Sequence, residues 1–363
     1  MAAKLKAVLI YGGQSTEHEV SRRSAAFVWK HIDRQRFDAY AIAIDKEGRW
    51  LPQNRDKIDG HTLREMPMES AEQADEASRA LVQRIWTPAA DNKDLVVFNI
   101  VHGTTGEDGM LQGFLDLQGI AYVGSGILGS AVGMDKVVAK QLVQMAGIAV
   151  VPYVALRLAE WQENAASICQ TAIQRLQFPM FVKPSSLGSS VGIRRVKDRL
   201  ELEKAIAFAF EFDERVLIET GVDAREIEYA CLGGYAPKLS FPGEVGVPTG
   251  FYSYEEKYSN TSKAEVLVPA PLSKDLAEQG REMSRKIFYA LNLYGMARID
   301  LFLTKADNTF YFNEANTLPG MTAISQYPKL WEHEGIAGKE LISALLDAAV
   351  QRRTAQRNLK RSI

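Results

Sequence analysis

Short apolar runs alternate with amphipathic segments over the first third of the chain. The runs 6–13, 37–45 and 95–103 (KAVLIYGG, FDAYAIAID and LVVFNIVHG) predict buried strands, and 19–32 has the spacing of an amphipathic helix. Alternating strands and helices predict a parallel sheet covered by helices. Residues 52–94 are polar and charged with scattered proline, which predicts a variable insertion of surface helix and loop.

Two mixed units are predicted after the first. The second combines helices with short strands over 125–219. The third contains a Gly/Pro/Tyr segment at 242–263, a helix at 274–291 and a hairpin at 297–317. We therefore predict a chain of α/β and α+β class with domains at 1–124, 125–219 and 220–363.

Composition narrows the function classes without selecting one. Lys and Arg number 43 against 45 Asp and Glu, so a formal charge of −2 gives no global basic field for nucleic acid or membranes. Small molecules or protein are the expected partners. Cys169 and Cys231 are too isolated for a disulfide framework or zinc cluster, which favours a reducing cytoplasm, and no apolar stretch approaches a membrane span. The basic residues of 351–363 are predicted to form a solvated helix end.

Two familiar glycine patterns occur in contexts that do not suit them. GSGILG (124–129) matches a dinucleotide-binding pattern, but its preceding strand is short and no acidic residue follows at the ribose-binding distance. Gly188, Ser190 and Gly192 match a hydrolase nucleophile elbow, which requires a strand, a turn and a helix. The β-like run IRRV follows instead, so a strand, loop and second strand are predicted over 181–196.

Lys183 ends an apolar run just before residues 185–191, which we call the Ser/Gly loop. A flexible loop between two strands can present backbone N–H groups to anionic oxygens while the lysine supplies a point charge. The arrangement predicts a phosphate clamp, and a plain hairpin with a polar turn explains the stretch equally well. It is not a Walker loop, because that motif does not occur in the chain.

The hairpin favours the phosphate interpretation. Period-two geometry puts Arg298 and Asp300 on one face of its first strand and Glu314 and Asn316 on one face of its second. A turn at 305–308 brings Asp300 close to Glu314, and a carboxylate pair among apolar neighbours is costly without a cation. Oxygen ligands without His or Cys favour Mg²⁺ or Mn²⁺.

Lysines for phosphate and carboxylates for Mg²⁺ together indicate ATP. Glu219 and Glu226 lie in ETGVDAREIE (219–228) and could accept hydrogen bonds from an adenine amine or ribose hydroxyls. Without the other motifs they would be interpreted as surface acids.

The ordered motifs resemble those of the ATP-grasp enzymes and, within them, the D-alanine:D-alanine ligases of peptidoglycan synthesis. The likeness spans essentially the whole chain through segments 12–21, 102–113, 134–136, 181–192, 255–258, 297–300 and 313–322. It implies a three-domain ATP-grasp architecture in which a Rossmann-like N-terminal domain with a parallel sheet precedes two domains that grip ATP. It also implies that ATP phosphorylates one D-alanine carboxylate and that the amine of a second D-alanine attacks the acyl phosphate.

The resemblance also implies site residues. Contacts with the nucleotide would come from Lys136, Lys183, Ser190, Glu219, Glu226 and Lys257. Two Mg²⁺ or Mn²⁺ ions would be held by Asp300, Glu314 and Asn316. Contacts with the D-alanines would come from Glu17, His102, Ser325 and Gln326. The catalytic group would comprise Glu17, Ser189, Tyr258, Arg298 and Gly320.

Their implied roles follow the same likeness. Lys136 and Lys183 would bind the α and β phosphates and Lys257 the γ phosphate, with Arg298 and the Gly320 N–H stabilising the tetrahedral oxyanion. Residues 185–191 would lie over ATP, with Ser189 hydrogen-bonded to Glu17 and Tyr258, and 248–263 would form a lid that excludes water.

The second-substrate pocket leaves alternatives open. Tyr258 indicates an amine nucleophile, because related D-lactate enzymes lack it. Gln326 stands where D-serine enzymes tend to carry arginine, and Ile324 replaces a histidine of some members. A D-alanine:D-serine ligase and a non-catalytic nucleotide-binding module are the competing hypotheses. The resemblance further implies a homodimer and leaves a monovalent-cation requirement open.

Overall fold

The computed structural model describes residues 4–59, 63–87, 91–246 and 265–360, so the predicted lid and its residues Lys257 and Tyr258 lie outside the described residues. The strands are β1 (Leu5–Gly12), β2 (Phe37–Ile44), β3 (Trp50–Pro52), β4 (Leu95–Asn99), β5 (Ala121–Tyr122), β6 (Tyr153–Arg157), β7 (Met180–Pro184), β8 (Arg194–Val196), β9 (Arg215–Thr220), β10 (Ala224–Gly233), β11 (Lys238–Leu239), β12 (Gly243–Gly246), β13 (Glu265–Leu267), β14 (Gly295–Thr304) and β15 (Phe310–Asn316). The helices are α1 (His18–His31), α2 (Arg55–Asp59), α3 (Glu76–Trp86), α4 (Met110–Leu117), α5 (Ile127–Met134), α6 (Lys136–Met145), α7 (Leu158–Arg175), α8 (Arg199–Ala209), α9 (Lys274–Ala290), α10 (Gln326–His333) and α11 (Gly338–Arg357), with a 3₁₀ turn at Ala71–Gln73.

The first sheet has the strand order β3-β2-β1-β4-β5. The pairings of β1 with β2 and β4, and of β4 with β5, are parallel, as strand–helix alternation predicts. Strand β3 pairs antiparallel with β2, because it returns through a connection too short for a parallel crossover. Buried side chains of β1, β2 and β4 are apolar on both faces, so helices cover the sheet on both sides.

Two antiparallel sheets follow. The second has the order β6-β9-β7-β8 and packs against α7 and α8. The third has the order β13-β12-β10-β14-β15, with β11 beside β10, and packs against α6 and α9. Strands β7 and β8 pair antiparallel around the Ser/Gly loop, so the predicted strand, loop and second strand are confirmed. No helix within the described ranges is long and apolar enough to cross a membrane.

The C-terminal helix α11 packs into the core beneath the first sheet, and the prediction of a solvated basic end is wrong for part of it. Arg352 and Arg353 are buried. Arg352 donates hydrogen bonds to the carbonyl oxygens of Gly124 (2.5 Å) and Tyr122 (3.0 Å), and its guanidinium lies 4.2 Å from the centroid of the Tyr122 ring. These carbonyl groups lie at the end of the two-residue strand β5 and just after it, so the guanidinium supplies the hydrogen-bond donor that a further strand would otherwise give.

We expect Arg352→Met to lower the free energy of unfolding by about 2–4 kcal/mol, because it leaves two buried carbonyl groups without their charged donor. Arg357→Met is the matched control, since Arg357 is exposed and makes one hydrogen bond to the Gly119 carbonyl (2.8 Å). Urea titration followed by circular dichroism measures both variants. Equal destabilisation of the two would contradict a specific role for the buried guanidinium.

Candidate active site

A cavity of about 270 Å³ lies between the loop after β1 and the loop after β7. Its walls come from four places in the chain: Gln14, Ser15, Thr16, Glu17, Gly103, Thr104, Leu187, Gly188, Glu211 and Phe212. Contacts within its walls join the first sheet to the second. The predicted catalytic residues Glu17 and Ser189 meet here.

Two glycines determine how the chain turns from β1 into α1. Gly12 and Gly13 have φ of +91° and +98°, and a Cβ at Gly12 would lie 2.2 Å from the Ile44 carbonyl oxygen. Glu17 then stands at the N-cap of α1. Its carboxylate lies so close to Gly103 and Gly188 that an added Cβ on either would come within 3.1 Å of Oε2. The acid is thus held between the backbones of two loops.

The Ser/Gly loop connects this acid to helix α6. Ser189 Oγ donates to Glu17, as the resemblance implies; the Tyr258 part of that network lies outside the described residues. Ser189 and Ser190 adopt left-handed φ of +52° and +59°, conformations that non-glycine residues rarely hold. Lys136 Nζ donates to the Leu187 carbonyl at 2.6 Å. The loop therefore spans the cleft, with Glu17 at one side and Lys136 at the other.

A buried acid flanked by two lysines lies beneath the loop. Glu219 Oε1 is 2.6 Å from Lys140 Nζ, and Oε2 is 2.5 Å from Lys183 Nζ. Burial raises the pKa of a carboxyl group, but the two ammonium groups prevail and lower the pKa of Glu219 to about 2. Glu226, on β10, is near enough to raise the pKa of Lys183 through its charge. The lysines thus place positive charge beneath the loop that is predicted to clamp phosphate.

Three carboxylates stand side by side on the third sheet. Glu228 pairs in register with Asp300, and Asp300 with Glu314, as strand alternation predicted for the last two. Arg298 donates to both oxygens of Asp300 (Nε 2.7 Å, Nη2 2.6 Å) and lies 3.3 Å from Glu228. Burial lowers the pKa of Arg298, but Asp300 and Glu228 outweigh it and hold the pKa above its ordinary value.

The predicted metal ligands occupy one end of this row. Asn316 Nδ2 donates to Asp300 at 2.8 Å, and Lys136 Nζ lies 3.3 Å from Glu314. Within the described ranges no three His, Cys, Asp or Glu side chains form a metal-binding group, so a site here depends on Asn316 as a ligand. Adjacent carboxylate and amide oxygens suit Mg²⁺ or Mn²⁺, and the residues fit such an ion.

His102 connects the first sheet to the loop that carries Gly320. Its Nε2 lies 3.0 Å from Ser24 Oγ, and that oxygen accepts the Met321 N–H at 3.2 Å. Burial opposes protonation of His102, but Glu107, whose Oε1 is 3.8 Å from Nδ1, raises its pKa above the ordinary value. His102, through its contact with Ser24, fixes the backbone next to Gly320.

Ser325 and Gln326 begin helix α10 beside that loop. Ser325 Oγ accepts the Thr322 N–H at 3.0 Å and lies 3.1 Å from the position of a Cβ on Gly320, so serine and glycine are adjacent. The amide nitrogen and oxygen of Gln326 are buried and have no hydrogen-bond partner among the described residues. Ile324 is exposed. A polar substrate at this position would satisfy the Gln326 amide.

Sequence reasoning missed four polar residues of the site: Ser24, Glu107, Lys140 and Glu228. Two of them carried a signal. Lys140 lies four residues after Lys136 and therefore on the same helix face, and Glu228 lies two after Glu226 and on the same strand face. The partners of Ser24 and Glu107 come from the tertiary fold, which periodicity does not indicate.

Comparison with known families decides where this arrangement belongs. The family model described as D-ala D-ala ligase N-terminus matches residues 6–125, and that described as D-ala D-ala ligase C-terminus matches residues 142–347. The chain belongs to the D-ala D-ala ligase family. The family resemblance predicted from the ordered motifs is confirmed.

Curated members of the D-ala D-ala ligase family match over nearly the full length. The chain is 42% identical to D-alanine–D-alanine ligase A of Bradyrhizobium diazoefficiens over 369 residues, covering 99% of each chain. It is 40% identical to D-alanine–D-alanine ligase A of Salmonella typhimurium over 365 residues, again covering 99% of each.

Solved structures of the family share the fold. The D-alanine-D-alanine ligase from Coxiella burnetii superposes with a TM-score of 0.80 at 32% identity, covering 98% of this chain and 97% of that one. The VanG D-Ala:D-Ser ligase from Enterococcus faecalis gives a TM-score of 0.78 at 30% identity, covering 96% and 100%. The predicted ATP-grasp architecture with a parallel N-terminal sheet is confirmed.

We expect Glu107→Gln to lower the pKa of His102, because the substitution removes the charge that favours the imidazolium while keeping an oxygen for the Gly103 N–H. A pKa raised by folding stabilises the native state fully below the unfolded value of about 6.5, and the effect is lost as pH rises through the native value. The stability difference between wild type and variant should therefore be largest below about pH 6.5.

Imidazole NMR titration measures this pKa directly. Asp108→Asn is the matched control, since Asp108 accepts the Thr105 and Met110 N–H groups. An unchanged His102 pKa in Glu107→Gln would remove Glu107 from the role assigned to it.

Proposed function

We propose that the protein joins two D-alanine molecules into D-alanyl-D-alanine at the expense of ATP, for peptidoglycan precursor synthesis. One observation carries the proposal beyond family membership. Polar contacts run from Glu17 through the loop between β7 and β8 to Lys136 and Glu314, and Glu314 pairs in register with Asp300 on the neighbouring strand. These contacts connect Glu17, the candidate acid for the substrate ammonium group, to the candidate site for metal and phosphate. Phosphorylation of a substrate carboxylate requires both sites close together.

ATP binds between the second and third sheets in this proposal. Glu219 accepts the adenine amine, and Glu226 accepts ribose hydroxyls. Lys183 and Lys136 contact the α and β phosphates, and the loop containing Ser190 closes over them. Support comes from the burial of Glu219 next to two lysines and from the charge of Glu226 on the neighbouring sheet. Lys257, outside the described residues, contacts the γ phosphate.

The first D-alanine is held by its ammonium at Glu17, with His102 behind it. An oxygen of its carboxylate attacks the γ phosphorus, the bond to the β-phosphate oxygen breaks, and ADP leaves with that electron pair. Asp300, Glu314 and Asn316 hold Mg²⁺ or Mn²⁺, which when bound neutralises charge on the transferring phosphoryl group. The product is an acyl phosphate, whose carbonyl carbon is far more electrophilic than that of a carboxylate.

The second D-alanine lies near Ser325 and Gln326. Its neutral amine attacks the acyl carbon, phosphate leaves with the bonding electrons, and the amine loses a proton as the amide forms. Arg298 and the Gly320 N–H stabilise the tetrahedral oxyanion. The Ser24 contact beside Gly320 keeps this loop in one conformation, which supports that assignment. Tyr258 and the lid complete the site and exclude water.

Several finer assignments belong to the same proposal. The domain boundaries lie at 124 and 219, and the enzyme is a cytoplasmic homodimer. Family membership supports these assignments, and the buried, unbridged cysteines Cys169 and Cys231 support the reducing compartment.

Phosphate release from Mg-ATP tests the function. D-alanine, L-alanine, D-serine plus D-alanine, and D-lactate plus D-alanine are supplied in parallel, with products identified by mass. We expect D-alanyl-D-alanine from D-alanine, with L-alanine inert. Preferential formation of D-alanyl-D-serine would replace the assigned second substrate, and absence of turnover with every acceptor would indicate a nucleotide-binding module.

Asp300→Asn should weaken Mg²⁺ binding, because it removes the charge shared by Arg298, Asn316 and the proposed ion. We expect the Mg²⁺ concentration for half-maximal turnover to rise by about 10- to 100-fold. Asp307→Asn is the matched control, since Asp307 lies in the exposed turn of the same hairpin. Wild-type metal dependence in Asp300→Asn would exclude Asp300 from the metal ligands.

A further inference from the structure

Lys140 is a buried lysine to which the mechanism above gives no role. The residue is 0% exposed, although it lies on the same face of α6 as Lys136. Its Nζ is 2.6 Å from Glu219 Oε1 and donates to the Phe312 carbonyl at 3.3 Å. Complete burial of a lysine is expensive unless an acid compensates it, so Lys140 and Glu219 depend on each other.

The two lysines beside Glu219 differ in what else they can reach. Lys183 is 8% exposed and belongs to the strand that leads into the Ser/Gly loop, so phosphate can approach it. Lys140 lies behind the acid, against β15. The phosphates of a bound nucleotide can therefore compete with Glu219 for Lys183. Lys140 keeps its ion pair with Glu219, because phosphate cannot reach it.

The protonation state of Glu219 decides which purine it can recognise. An ionised carboxylate only accepts hydrogen bonds, so it suits the 6-amino group of adenine and repels the 6-oxygen of guanine. A protonated acid carries a donor that a guanine oxygen accepts. Selectivity for adenine thus requires that Glu219 stay ionised when the nucleotide is bound. This requires a cation beside Glu219 that does not also bind the nucleotide phosphates.

We propose that Lys140 is a positioning residue that keeps Glu219 an obligate hydrogen-bond acceptor, and so makes the site select adenine over guanine nucleotides. The proposal rests on the proposed use of ATP and on the assignment of Glu219 to the base. Lys140 acts through Glu219 and does not touch the nucleotide. Its removal should therefore alter base selectivity more than the rate of the chemical step.

The experiment measures kcat and KM for ATP and GTP with D-alanine in Lys140→Met, Glu219→Gln and the double variant. We expect Lys140→Met to reduce the ratio of kcat/KM for ATP over GTP by about tenfold or more, mainly through KM, because a hydrogen-bond mismatch of about 1.4 kcal/mol corresponds to that factor. An amide at position 219 both donates and accepts. Adding Lys140→Met to Glu219→Gln should therefore leave the ratio unchanged.

Lys204→Met controls for loss of a lysine, since Lys204 is exposed on α8. Wild-type selectivity in an active Lys140→Met protein would overturn the inference, as would a further tenfold fall in the double variant. Should Lys140→Met fail to fold, Lys140→Gln, which keeps a polar side chain without the charge, makes the same comparison with wild type.

The inference and the proposed function fail in different ways. If wild type shows no turnover, the proposed function is overturned. Equilibrium binding of ADP and GDP to the same proteins then measures selectivity without chemistry. Equal ADP preference in wild type and Lys140→Met would overturn the inference.

Discussion

Charge compensation at the floor of the cleft is the constraint on which the site depends. Glu219, Glu228 and Asp300 are each less than a tenth exposed, and an isolated carboxylate at such depth would take up a proton. Arg298 and the lysines next to Glu219 prevent this. The fold can therefore keep several ionised carboxylates close together, where they can accept hydrogen bonds or bind a cation.

A further cation, Lys136, couples the parts of the cleft to one another. Lys136 contacts both the Leu187 carbonyl and Glu314, so it joins the loop over the cavity to the row of carboxylates. Ser189 joins that loop to Glu17 on the other side. The ammonium group of Lys136 thus links the charge of the carboxylate row to the position of the loop.

The sequence predicted the local parts of this arrangement well. Alternation and a short turn sufficed to place Asp300 opposite Glu314, because a hairpin brings its strands together without help from the rest of the chain. The pairing of Lys140 with Glu219 joins α6, which packs against the third sheet, to a strand of the second sheet. Helical spacing gives only the direction of the lysine. Arg352 was misjudged for the same reason, since its acceptors are carbonyl groups that no side-chain pattern reveals.

The packing of α11 has a consequence for how the molecule can come apart. The core beneath the first sheet takes its buried side chains from 7–123 and 230–349, so the first and third sheets share it. The second sheet builds its own core from 156–218. That unit is in effect an insert, and it can loosen or melt locally without exposing the shared core. The two walls of the cleft thus belong to parts of the fold with separate hydrophobic cores. Polar contacts that a ligand would also use join these two parts.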